Sequence, residues 1–113
     1  MLESDKRKTR RYPSSARVQI PEVFSGSALL KDLSITGCRI ECTMHVDIQE
    51  ETAYTITLHP EATAKIGSFD LSAECRWFRP GHYSCDIGFE IKKSPTGKDF
   101  QKYVDYLSWR QKR

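Results

Sequence analysis

Apolar and polar residues alternate with a period of two through most of this chain, and only near its end does the period lengthen. Val18 and Ile20 alternate with polar neighbours until Pro21 ends the run. A Phe24-Ser25-Gly26-Ser27 turn leads into a second run from Ala28 to Leu33, and Cys38, Ile40 and Cys42 then share a face opposite Arg39 and Glu41. The polar, acidic stretch 43–52 has no period and reads as a loop. Beyond it Tyr54, Ile56 and Leu58 alternate with Thr55 and Thr57 as far as His59-Pro60. Leu71, Ala73, Cys75 and Trp77 form a long run, and Tyr83, Cys85, Ile87, Phe89 and Ile91 resume the alternation past Pro80-Gly81. A symmetric hairpin about Pro80 pairs Trp77 with Tyr83 and Cys75 with Cys85. From Phe100 the spacing becomes helical, with Phe100, Tyr103, Val104 and Leu107 on one face and Thr96 suited to the N-cap. About six strands joined by turns and followed by one helix predict a mainly β fold. It is an antiparallel β-barrel of about six strands, closed so that no edge is exposed, with a C-terminal α-helix covering one end or side.

Composition narrows this without changing it. A chain of 113 residues has room for one core, so residues 16–113 are expected to form one barrel-plus-helix domain. Residues 1–15 contain little to bury beyond Leu2 and Tyr12, and Pro13-Ser14-Ser15 breaks any helix, so they read as a flexible N-terminal arm. The 38% hydrophobic and 29% charged content is that of a globular domain, with no apolar run near the ~20 residues that span a bilayer. Met1-Leu2-Glu3-Ser4-Asp5 lacks the apolar segment of a secretory signal, and a cytoplasmic location is expected. Cys38 and Cys42 sit about 13 Å apart along one strand at ~3.3 Å per residue, out of disulfide reach. All four cysteines read as structural thiols, and no metal is expected: there is no Cys-x-x-Cys, and His45, His59 and His82 are scattered. His82 with Cys85 or Asp86 lacks a third orienting group, so no enzyme is expected.

The net charge of +3 is modest but unevenly placed. Lys6-Arg7-Lys8-Thr9-Arg10-Arg11 is basic at five of six positions, which suits an anionic partner held by an arm. Downstream, Asp32-Leu33-Ser34-Ile35-Thr36-Gly37 places the Asp32 carboxylate and the Ser34 hydroxyl on one face of a strand end, with Gly37 turning the chain and leaving room for a close approach. Alone, such a stretch is an ordinary strand-to-turn sequence in which Asp and Ser cap backbone groups. Arg7 and Arg11 as Arg-x-x-x-Arg, followed by Asp32, Ser34 and Gly37 as Asp-x-Ser-x-x-Gly, resemble the PilZ family of bacterial cyclic di-GMP receptors. Tyr12-Pro13, Ala16 to Ile20, Cys75-Arg76-Trp77 and Asp86-Ile87-Gly88-Phe89 carry the resemblance across roughly residues 5 to 107.

The resemblance implies a β-barrel with a C-terminal helix, no cofactor, and cyclic di-GMP as ligand, bound by Arg7, Arg11, Asp32, Ser34 and Gly37, with Lys6, Arg10 and Trp77 as further candidates. The chemistry suits those residue types. Arginine forks pair with phosphate or a guanine edge, an aspartate accepts from guanine N1–H and N2–H₂, and a glycine admits the ligand to the backbone. Lys6, where an arginine is frequent, and Thr36, where a second glycine is frequent, depart from the commonest pattern and leave open whether one ligand or two stacked ligands bind. Trp77 is core or ligand contact, and Arg39 is read as solvated. With no further domain in the chain, the expected role is a stand-alone receptor that signals to a partner protein. The alternative is a small barrel that binds single-stranded nucleic acid through the basic arm and its aromatics.

Overall fold

A computed structural model describes residues 10–93 and 98–112 of the chain. Among them run the strands β1 (Tyr12–Pro13), β2 (Arg17–Gln19), β3 (Ala28–Leu33), β4 (Gly37–Cys42), β5 (Ala53–His59), β6 (Phe69–Pro80) and β7 (Cys85–Lys93), then the helix α1 (Asp99–Lys112). The order β3-β2-β5-β6-β7-β4 returns to β3 through the β3–β4 pairing, so six antiparallel strands close a barrel and β1 is an extra strand. Closure is what the period-two pattern demands: Val18, Leu30, Ile40, Ile56, Leu71 and Ile87 turn inward and are fully buried. Among the described residues no helix is long and apolar enough to cross a membrane.

β1 and β2 lie one after the other along the same edge of β3. Tyr12 pairs with Leu33 and Pro13 with Asp32, whereas Arg17 pairs with Leu29. Between them the Ser14 N–H donates to Lys31 O (3.0 Å) and the Leu30 N–H donates to Ala16 O (2.9 Å), one residue out of step. Ser15 is therefore a bulge, and from Tyr12 onward the expected flexible arm is part of the sheet. This correction has a physical reason: Tyr12 packs against the core, and β3 offers it an unfilled edge.

Helix α1 buries the four residues that its spacing singles out, Phe100, Tyr103, Val104 and Leu107. The Phe69 ring meets Phe100 and Tyr103 edge-on, at 6.1 and 6.3 Å between centroids. Tyr103 also carries a polar clamp. Its hydroxyl donates to Glu61 Oε1 (2.6 Å) and accepts from Ser14 Oγ (2.7 Å), which in turn accepts from the Ala16 N–H (3.0 Å). Burial, and next the hydrogen bond to Glu61, push the phenol well above its usual range, so it stays a donor at any physiological pH. Arg110 completes the clamp through Nη1 to Glu61 (2.6 Å) and Nη2 to the Pro13 carbonyl (3.0 Å). The helix thereby holds β1 in place, immediately downstream of Arg11.

The expected register of the last hairpin needs correction. Pro80 pairs with Cys85, Trp77 with Gly88 and Cys75 with Phe89, so neither Trp77–Tyr83 nor Cys75–Cys85 is a pair. The connection is the four residues 81–84 rather than a two-residue Pro-Gly turn, and Tyr83 stands in solvent at 92% exposure. A register shift between Cys75 and Trp77 adds an extra residue, Arg76, to β6. That bulge takes Trp77 out of step with the buried series Leu71, Ala73 and Cys75 and leaves it half-buried.

Candidate functional site

The β3–β4 connection owes its shape to Ser34. Its hydroxyl accepts from the backbone N–H groups of Thr36 and Gly37, both at 3.1 Å, while its own N–H donates to Gly37 O (2.8 Å). Ser34 is 1% exposed, so the hydroxyl is spent on the turn and holds the backbone beside it. Gly37 follows, where β4 closes on β7. A Cβ there would sit 2.8 Å from the Phe89 carbonyl oxygen, so glycine lets the strand close on β7, and the Arg11 guanidinium lies in van der Waals reach of the same position, at 3.5 Å.

Asp32 stands at the centre of a charge ladder that runs from Arg11, just before β1, across β3, β4 and β7. Arg11 Nη1 donates to Oδ1 (2.9 Å) and Arg39 Nε donates to Oδ2 (3.2 Å), and Arg39 reaches on to Asp86 (3.7 Å). Arg11 and Arg39 are substantially exposed and Asp32 is mostly covered, so the carboxylate is fixed from both sides while the arginines keep an open face. Beside them a cavity of about 340 Å³ opens between Arg11, Thr36 and Gly37 on one wall and Trp77, Gly88 and Glu90 on the other. The indole of Trp77 lies directly on Gly88, where a Cβ would fall 2.2 Å from the ring, and the Arg79 guanidinium stacks on the indole at 4.7 Å. Arg76 Nε donates to Glu90 Oε1 (2.7 Å), and this hydrogen bond holds the Glu90 carboxyl below the usual carboxylate range. Among the described residues no group of three or more histidine, cysteine, aspartate or glutamate side chains could hold a metal ion.

These residues, an arginine immediately before β1 pairs with β3, an aspartate on β3, and a glycine opening β4, fall in one stretch of a domain match that runs over residues 5–109. This chain belongs to the PilZ domain family. The PilZ fold is also that of the Bacillus subtilis inhibitor of motility (MotI/DgrA), with a TM-score of 0.72 at 17% identity, a likeness of fold alone. It covers 94% of this chain and 51% of that one, so this PilZ domain spans about half the length of that protein. No curated protein matches the chain. A PilZ domain is a binding module rather than a catalytic family.

Of the residues singled out in sequence, Arg11, Gly37 and Trp77 line one cavity of this PilZ domain, Asp32 is held beside it by Arg11, and Ser34 shapes the turn beneath. Arg10 lines a different groove, of about 360 Å³, against Tyr12, Ile35 and Val104 of the helix. Lys6 and Arg7 lie outside the described residues. Sequence reasoning missed the part played by Arg39, although counting outward from the 34–37 turn sets Leu33 opposite Cys38 and Asp32 opposite Arg39, the observed pairs. It also missed Gly88 as the seat of Trp77, for which no signal exists, because the pairing depends on the bulge at Arg76. Gly88→Ala drives the indole off its seat and is expected to lower stability by about 1–3 kcal/mol with a change in tryptophan emission. An unchanged urea midpoint and spectrum would mean that the ring rests elsewhere.

Proposed function

We propose that this PilZ domain is a cytoplasmic receptor for cyclic di-GMP that passes the signal to a partner protein. The observation that carries this reading is the Arg11 guanidinium, shared between Asp32 and the mouth of a cavity beside Gly37. The ligand has two phosphodiester charges and two guanines, and needs cations, planar surfaces and an acceptor. Arg11 supplies a fork, Asp32 an acceptor for guanine N1–H and N2–H₂, Gly37 an open backbone, and Trp77 a planar flank. For Arg11 to engage the ligand it must give up Asp32 in whole or part. A solvent-exposed ion pair is worth about 0–1 kcal/mol, so the exchange costs little, and Arg39 keeps the carboxylate aimed. The ligand then bridges Arg7 and Arg11 to Asp32. The arm closed in this way, with the strands around Gly37 and Trp77, makes the surface that the partner distinguishes from the free state.

Calorimetry tests this. Cyclic di-GMP is expected to bind with a dissociation constant on the order of micromolar or tighter, about −8 kcal/mol or better, and GMP far more weakly. No heat at tens of micromolar protein and ligand overturns the reading. Binding of short RNA with a steep salt dependence, and no preference for the cyclic dinucleotide, points instead to a single-strand-binding barrel.

A further inference from the structure

A second cavity, of about 390 Å³, lies at the other end of β4 and takes no part in the site above. Gly37 begins that strand and Cys42 ends it, a separation of about 16 Å at ~3.3 Å per residue. Met44, Val46, Phe78 and His82 wall this cavity, and Cys42 and Cys85 line it together. The two cysteines face each other directly across the β4–β7 ladder. Directly opposed residues of an antiparallel pair have Cα atoms about 4.5 or 5.5 Å apart. Either value falls inside the ~4.4–6.8 Å window that a disulfide requires. The remaining cysteines have no such neighbour: Cys38 stands between Leu33 and Phe89, and Cys75 opposite Phe89, both fully buried.

We propose that Cys42 and Cys85 are a cross-strand dithiol that small-molecule disulfides of the oxidised-glutathione class, admitted through this cavity, convert reversibly to an intrachain disulfide. Cys85 is 9% exposed against 1% for Cys42, so Cys85 attacks first. Its thiolate displaces one thiol of the small disulfide and forms a mixed disulfide. The Cys42 thiolate then attacks Sγ of Cys85 and expels the second thiol. Two protein thiols and one small disulfide give one protein disulfide and two small thiols, which carry away the two protons. Burial, and next the Cys42 neighbour, push the Cys85 thiol up, so the reacting thiolate is scarce at neutral pH and the rate climbs as pH rises.

The test is to incubate the full chain with oxidised glutathione at mildly alkaline pH, quench in acid, unfold, alkylate and map the peptides. Expected are the loss of two hydrogen atoms from the intact mass, a Cys42–Cys85 cross-link, alkylated Cys38 and Cys75, and full reversal by dithiothreitol. Cys42→Ser, or Cys42→Ala if the serine variant fails to fold, stops at one glutathione held on Cys85, and Cys85→Ser gives neither product. A cross-link through Cys38 or Cys75 overturns the proposal. So does natively folded protein in which all four cysteines remain alkylatable after a day, or an unmodified Cys85 in the Cys42 variants.

Discussion

Arg11→Lys weakens cyclic di-GMP binding by roughly tenfold to a hundredfold, about 1.4–2.7 kcal/mol, and leaves the urea midpoint nearly unchanged. The two halves of this expectation come from different features. The loss in affinity follows from chemistry, because the guanidinium that lines the cavity beside Gly37 can offer a planar fork whereas an ammonium offers a point charge. The unchanged stability follows from exposure at the substituted end: the Arg11 side chain is substantially open to solvent, and Arg39 still holds Asp32 when Arg11 is altered. Arg10→Lys is the internal comparison, since Arg10 faces the groove beside the helix and should alter affinity little. Calorimetry on both variants decides the matter. Equal losses at Arg10 and Arg11 would mean that the arm acts as diffuse charge. Wild-type affinity in Arg11→Lys would mean that the fork is not used. Asp32→Ala should lose preference for guanine over other cyclic dinucleotides, because it removes the acceptor without opening the core.

Tyr103→Ala carries the largest expected effect on stability, a loss of about 3–5 kcal/mol in urea unfolding, as for other buried aromatics cut to alanine. Against the ~5–15 kcal/mol that holds a typical domain together, this brings the fold near its limit. Tyr103→Phe separates burial from hydrogen bonding. It keeps the ring against Phe69 but leaves Glu61 and Ser14 each short of a partner, for an expected loss of about 1–2 kcal/mol. A neutral Tyr103→Phe would show that the clamp contributes nothing beyond the ring. Since the clamp also fixes β1, Tyr103→Phe should raise amide exchange at Tyr12 and Ser14 more than at the strands β5 and β6.

The barrel, its strands along the chain and the buried face of the helix were legible in the chain, because alternation and helical spacing report directly on which side chains can be inward. Ile40 and Ile56 are fully buried where the pattern puts them, and Phe100, Tyr103, Val104 and Leu107 share the helix face that their spacing implies. The register of β6 against β7 was not legible. It turns on two register shifts, between Ser72 and Ala73 and between Cys75 and Trp77, and on a four-residue turn, none of which leaves a mark in a period-two pattern. The site was half legible. Asp32 and Gly37 stand out as residue types at a turn, but Ser34, expected to meet a ligand, spends its hydroxyl on two backbone N–H groups, a role that spacing alone cannot separate from binding. Arg39 reads as solvated when its strand is taken without its neighbour. Its partner Asp32 stands across the ladder.

The closing of the barrel also has a consequence in time. β3–β4 and β6–β7 are hairpins between neighbours in the chain, whereas the Gly37–Glu90 and Arg17–His59 pairings join residues far apart in sequence. Hairpins form in about 1–10 μs, while barrels that depend on distant pairings fold in milliseconds to seconds. Asp32 and Gly37 arrive with the first hairpin, and Trp77 and Gly88 with the second. The cavity exists only where these two hairpins meet, so a newly made chain gains its walls only once the distant Gly37–Glu90 pairing forms and until then holds only fragments of a site.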